Sequence, residues 1–568
     1  MSSLIRSGVL WVTLIALVIG CAAPSQSTGA PRGAGSAAQP AAALKRVTAA
    51  IMGDAHTLAQ KLNPASYVPG IDTLEEMVSA GLTNTDDQGN QRAQLAEAVP
   101  TLENGLWKLL PDGQMETTWT IRPGVRWHDG MPVTTDDLLF TAKVVQDQDL
   151  PLFRDIAYRS IEAIEAADQR TVTVKWRAPV IRADQMFSRT LGLPLPKHLL
   201  EKAYVEDKAA FTEIPHWSQE FVGSGPFKLR EFERGSHLTL DAFGQYVLGK
   251  PRIDTVEVRF IPDSKTLMAN ILAGTVELTL GRNLSLEEGM HVRDQWRDGR
   301  MSAIPSGAIQ LHPQFINPSP PIVTNLQFRR ALYHAINREE LGGSLQGSDT
   351  IVAHTFVVPN QPEYQQIRGS FVRYGFEPVR STQMLEDLGY TRGADGFLRD
   401  GANQRVLVEV IGAGGEANLK SVPIVADFWR RVGVEVAEAV VPIQRQRDSE
   451  WTANFASFEL SRRGADVKSL LRYHSSEAPI AERNFQGSNV PRYMNPDLDA
   501  IIESYHTTIP FADRMRALGQ IAEHMSDQLV LMPLFYDKEV TIVANRLDHV
   551  SKGLSATQAW NAEAWNLK

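Results

Sequence analysis

One cysteine, Cys21, serves a chain of 568 residues. No disulfide can staple the chain internally, and the zinc motifs built on several cysteines are excluded. A fold of this size must therefore be held without covalent staples. Hydrophobic content of 43% and charged content of 22% are ordinary for a globular protein and supply apolar surface to bury. A chain this long outgrows a single core, so two or three domains are expected.

Cys21 also closes a short apolar run. Arg6 precedes it, and Val9 to Ile19 are almost continuously apolar. A basic start, about 7–15 apolar residues and a small-residue site make a secretory signal, whereas a spanning helix needs about 20 apolar residues. Val18-Ile19-Gly20-Cys21 resembles the lipobox of bacterial lipoproteins. That resemblance implies a signal peptide at 1–20 and lipidation of Cys21; a plain signal peptide or an uncleaved anchor is the alternative. Residues 22–43 are mostly Ala, Ser, Gly, Pro and Gln, too polar and small to offset their ordering entropy, so 21–43 read as a disordered tether. Its root-mean-square reach is about 25 Å.

Beyond the tether, periodicity alternates between strand and helix. Trp119–Arg122 and Val125–Trp127 read as strands about a Pro123-Gly124 turn, and Thr171–Trp176 and Leu238–Ala242 as further strands. Thr134 to Asp137 start a helix, with a hydroxyl cap and acids at the positive end of its dipole. Phe328–Ile336 is amphipathic; Asn337 and Glu340 have capping-box spacing for a short helix ending at Gly342-Gly343. Arg405–Ile411, then the helical 424–431, then Val434–Val436 give strand, helix, strand, the signature of an α/β lobe. Helices over 498–505 and 514–529 precede a strand-like 531–544.

Three ordered stretches carry a resemblance. They are Trp119-Thr-Ile-Arg-Pro-Gly-Val-Arg-Trp-His-Asp-Gly130 with Asp136-Asp137-Leu138; Gly223-Ser-Gly-Pro-Phe-Lys-Leu229 with Gly249-Lys-Pro-Arg-Ile-Asp254; and Phe328-Arg-Arg-Ala-Leu-Tyr-His-Ala-Ile-Asn-Arg-Glu-Glu-Leu341. Together with Asn495-Pro-Asp-Leu-Asp499 they resemble the family 5 extracellular solute-binding proteins, the dipeptide- and oligopeptide-binding components of ABC importers. The resemblance implies an α/β, two-lobed periplasmic-binding-protein fold of the large cluster with an extra inserted domain, and a ligand cleft between the lobes. Transferred to this chain, lobe I is 44–92, 216–308 and 535–568, the insert 93–215 and lobe II 309–534. It implies a binding protein without enzymatic activity, and the residues themselves offer no cofactor or metal motif. The partners are a small peptide-like solute and a membrane permease, met by a monomer held at the membrane by lipid, in the periplasm or on the outer cell surface. An exported hydrolase on a two-lobed fold, or a sensor or chaperone using the same cleft, is the rival reading.

The residues themselves show no assembled catalytic set. Trp127-His128-Asp129-Gly130 reads as a turn with a surface imidazole, and Gly223-Ser-Gly225 lacks the Lys-Ser/Thr of a phosphate loop and reads as a crossing between lobes. No HExxH helix or Gly-x-Ser-x-Gly elbow is present, and the 13 histidines are scattered. Glu75-Glu76 reads as solvated surface. A net charge of −9 argues against a nucleic-acid partner.

The resemblance also marks a departure. In peptide-binding relatives a Trp followed shortly by an Asp stands in lobe II, and that Asp pairs with the peptide amine. The stretch here reads Phe455-Ala-Ser-Phe458-Glu459-Leu-Ser-Arg462-Arg463-Gly-Ala-Asp466. Glu459 or Asp466 would substitute as amine anchor; alternatively Arg462 and Arg463 would fork onto a carboxylate or phosphate, or point to solvent. Asn63, Tyr67, Phe315, Asn317 and Phe458 complete the candidate ligand residues.

Overall fold

Two long strands, Gly299–Pro313 and Met532–Ala544, carry the chain through the middle of one ten-stranded sheet. They pair antiparallel from Gly299↔Ala544 to Leu311↔Met532, with register shifts at Pro305/Gly307 and Ile309/Gln310. This is a computed structural model, which describes residues 44–63, 68–153, 156–446, 448–553 and 556–568. The signal, Cys21, the tether and Tyr67 lie outside the described residues. Among those described, no helix is long and apolar enough to cross a membrane.

On one side of the central pair the sheet continues through Leu278–Thr279, Arg46–Ile51, Thr255–Phe260, His237–Ala242 and Phe227–Glu233. Successive strand residues face opposite sides, so Val47, Ala49 and Ile51 enter one core while Ala50 joins a second across the sheet. On the other side lie Phe458–Gly464, Leu407–Ala413 and Glu435–Val440, all three parallel. Helix Glu416–Arg431 makes the crossover between the last two and packs Val422, Val425 and Trp429 onto the sheet. These two sides are the first and second lobes of a two-lobed α/β fold.

A separate antiparallel sheet orders Trp107–Leu109, Met115–Thr120, Thr171–Trp176 and Ile161–Ala166. Helix Thr135–Gln146 covers it, and the Asp137 carboxylate accepts the Thr134 amide at 2.9 Å, closing the expected N-terminus. Asn337 likewise accepts the Glu340 amide at 3.1 Å. Its helix, however, runs through Gly342-Gly343 to Gln346 and stops at Gly347, where φ is +63°. Helix Glu416–Arg431 begins eight residues before the apolar signal at Ile424, with Pro423 in its interior. Val125–Trp127 forms only an isolated bridge from Arg126 to Pro132 instead of a strand.

Gly223-Ser-Gly225 does not cross between lobes. A Cβ on Gly223 would stand 1.9 Å from the Val78 carbonyl oxygen, so this backbone lies directly on the end of helix Ile71–Val78. His128 braces it, accepting the Gly223 amide at Nδ1 and meeting the Gly225 carbonyl at 3.1 Å. Burial holds that imidazole down to about 4, which suits an uncharged brace.

Candidate ligand cleft

Where the central strands change register, residues from both lobes line a half-open cavity of about 340 Å³. Asp72, Thr73 and Arg282 reach it from the first lobe, and Arg189 from the segment bearing the small sheet. Arg462, Asp466 and Lys468 face them from the second lobe. Ser306 and Glu539 of the central strands form the wall between them, and Lys552 and Gln558 line the C-terminal side.

Charge pairing organises this wall. Arg462 Nε meets Asp537 Oδ2 at 2.5 Å and donates from Nη2 to Ser306 Oγ at 2.7 Å. Arg282 shares the same carboxylate oxygen at 3.4 Å. Lys552 pairs with Glu539 at 3.1 Å. Arg189 stands 3.9 Å from Asp72 and 4.0 Å from Glu76. Buried Gln558 ties the wall together: its Oε1 accepts the Gly281 amide and its Nε2 donates to Thr541. Among the described residues, no group of three or more His, Cys, Asp or Glu side chains is placed to hold a metal ion.

Two of the acidic side chains behind the cleft differ from their sequence reading. Glu75 and Glu76 are buried, not solvated surface. Burial pushes the Glu75 carboxyl up to about 7, although the Gln60 amide donates to it. Burial also raises Glu76, against the Arg189 charge and a hydrogen bond from Thr557. Helix Ile71–Val78 directs both inward because it is covered on nearly every side.

The structure separates the residues singled out from sequence. Arg462 and Asp466 line the cleft, and Asp466 also caps the turn Val467–Tyr473 by accepting the Ser469 amide at 3.0 Å. Arg463 points to the opposite face of its strand, where it donates to Glu459 at 3.0 Å. Adjacent strand residues cannot share a face, so the two arginines form no common fork. Phe458 is fully buried against Trp429, ring centroids 5.0 Å apart, and belongs to the core. Phe315 packs edge-on against Tyr493 at 4.8 Å, under the Arg329 guanidinium. Asn317 is exposed with φ +53°. Asn63 is buried and clasps its own loop, exchanging two hydrogen bonds with the Val68 backbone. None of Asn63, Phe315 and Asn317 is in the wall of the cleft.

Two further cavities, of about 590 and 350 Å³, lie on the far face of the second lobe and share Thr452 and Glu459. Their walls come from residues 409–490 alone, so lobe movement cannot open or close them. Of these three cavities, only the one at the central strands has walls from both lobes.

The model of the bacterial extracellular solute-binding proteins, family 5, matches residues 97–478, about two thirds of the chain. The chain belongs to this family. It is a family of binding proteins rather than enzymes. The oligopeptide-binding protein AppA of Bacillus subtilis is 24% identical over 506 residues, 86% of each chain. Among solved structures, the oligopeptide-binding protein of Thermus thermophilus in complex with a pentapeptide superposes with a TM-score of 0.74. It is 20% identical and the match covers 92% of this chain and 96% of that one. NikZ of Campylobacter jejuni in complex with Ni(L-His) gives the same TM-score at 18% identity, covering 92% and 99%. One frame thus accompanies unlike ligands, and the fold alone does not select among them.

Most of this solute-binding protein's cleft wall escaped the sequence reading. Arg189, Arg282, Lys468 and Lys552 sit in unrelated stretches with no common spacing. Only the fold joins them: the backbones of Gly70 and Gly281 touch, and a Cβ on Gly281 would lie 2.3 Å from Gly70 Cα. That contact brings Asp72 and Arg282, two residues from Gly70 and one from Gly281, to one rim.

Proposed function

We propose that the chain is the lipid-anchored, extracytoplasmic receptor of an ABC importer, capturing a peptide or similar small solute between its lobes and handing it to a membrane permease. The charged cavity walled by both lobes at the central strands carries this reading, because closure there would surround a solute completely. Asp466 serves as the amine-facing carboxylate of the cleft, in place of Glu459, whose pairing with Arg463 holds it on the other face. The body acts as a monomer with lobe I at 44–92, 216–308 and 535–568, the insert at 93–215 and lobe II at 309–534. Cys21 carries the lipid and the following tether lets the body reach the permease from the periplasmic or outer face of the membrane.

The relatives' names, the family and the lipobox resemblance support this reading. Native mass spectrometry of the purified protein should reveal a bound small solute. That solute at about 100 times its dissociation constant should stabilise the fold by about 2.7 kcal/mol. Failure of peptides, sugar acids and metal chelates alike to shift the melting temperature would remove the receptor reading. Cys21→Ser should move the protein from the membrane to the soluble fraction; unchanged retention would remove the anchor.

A further inference from the structure

We propose that Lys468 is the anion anchor of the cleft, seating a carboxylate or phosphate of a compact solute beside Arg189. The inference rests on the solute-binding reading above and adds the chemistry of one end of the ligand.

Lys468 follows Asp466 by two residues, in the turn Val467–Tyr473, and its side chain lines the cavity. The other cations of the wall each face a carboxylate: Arg462 and Arg282 share Asp537, Lys552 has Glu539, and Arg189 has Asp72 and Glu76. Lys468 makes no hydrogen bond and no ion pair with any described residue. Asp466, the nearest acid in sequence, spends one oxygen on the Ser469 amide and hydroxyl. An ammonium in a half-enclosed site with no carboxylate in direct contact favours an anion brought by the solute.

The electrostatic surroundings agree. Burial, with Arg189 and Arg182 alongside, holds the Lys468 ammonium down to about 8, while Asp466 and Asp184 pull the other way. Glu76 faces it from helix Ile71–Val78. Asp184, pushed up to about 6 by burial, is ionised at neutral pH. An anion binds the protonated amine, so affinity should be level below pH 8 and fall as pH rises through about 8.

Cavity size limits the solute. A sphere of about 340 Å³ is only about 9 Å across, whereas five extended residues span about 17 Å. The half-enclosed site suits a solute the size of a di- or tripeptide.

The test uses matched probes on the full chain, titrated calorimetrically. Di- and tripeptides are compared as free acids and C-terminal amides, gluconate with glucose, and glycerol 3-phosphate with glycerol. In each pair that binds, the anion should bind at least about tenfold tighter, the loss expected for one hydrogen bond to a charged group. Lys468→Met should abolish that preference. Lys468→Arg should keep it and flatten the decline between pH 7 and 9.5, which the wild type shows without any substitution. Equal binding of anion and neutral partner, or a preserved preference in Lys468→Met, would overturn the anchor. Binding by no probe of any pair would refute the small-solute reading itself, and the anchor with it.

Discussion

Arg462 of the second lobe is joined to Asp537 of the return strand across the hinge, Nε to Oδ2 at 2.5 Å, with side chains 17% and 10% exposed. The pair ties the cleft wall to the central strand Met532–Ala544. Removing one partner leaves a poorly solvated charge behind, which costs more than the interaction itself contributes. Arg462→Ala and Asp537→Ala should each lower stability by about 1–3 kcal/mol. The double variant should lose less than the sum. Additive losses in denaturant unfolding would show that the pair does not couple.

Glu75 makes stability depend on pH in an unusual direction for a carboxylate. Its folded value of about 7 lies above the ordinary 4.5, so the folded chain holds this proton more tightly than the unfolded chain. Stability therefore falls as pH rises from about 4.5 through 7 and levels off above, by at most about 3 kcal/mol from this group. Glu75→Gln keeps an acceptor for the Gln60 amide and removes the titration. Its melting temperature should exceed that of the wild type at pH 8 and approach it at pH 5. A gain equal at both values would rule out this origin.

The backbone contact under His128 gives a steric prediction. A Cβ at position 223 meets the Val78 carbonyl oxygen at 1.9 Å, whereas one at position 244 meets nothing within 4 Å. Gly223→Ala should cost about 1–3 kcal/mol or more through backbone displacement, and Gly244→Ala less than about 0.5 kcal/mol. Thermal unfolding of the two variants side by side checks the contrast; equal melting points would dismiss the clamp.

Local chemistry made several elements legible from sequence. Thr171–Trp176 alternates cleanly and appears with those bounds; Asn337 with Glu340 announced a helix start that the structure contains. Ordered family motifs placed the chain among two-lobed solute-binding proteins. Other features depend on tertiary contact and had no local signature. Gly342-Gly343 stays helical because the helix packs against the return strand, where a Cβ on Gly342 would touch Phe535 at 3.3 Å. Glu75-Glu76 looks like solvated surface until helix Ile71–Val78 is covered on most sides. The cleft itself gathers residues from 70 to 558, so no spacing rule could collect them. Arg462 and Arg463 show the limit within a single strand: both were visible, and only the pleat assigns them to different faces.

Gly307 links these geometries to closure. It follows the register shift at Pro305, and a Cβ there would stand 2.6 Å from Arg462 Cζ and 2.8 Å from the Arg463 carbonyl oxygen. Gly307→Ala should push the guanidinium away from Ser306 and Asp537 and loosen the second lobe against the hinge, while the lobe cores stay intact. A ligand draws the lobes together only through its preference for the closed form, so a destabilised closed form must weaken binding. The solute that co-purifies with the wild type should bind Gly307→Ala about tenfold more weakly, a change of about 1.4 kcal/mol. Small-angle scattering should show a larger radius of gyration for the variant at subsaturating solute, converging on the wild-type value at saturation. Unaltered affinity together with unaltered scattering would mean that Arg462 has no part in closure.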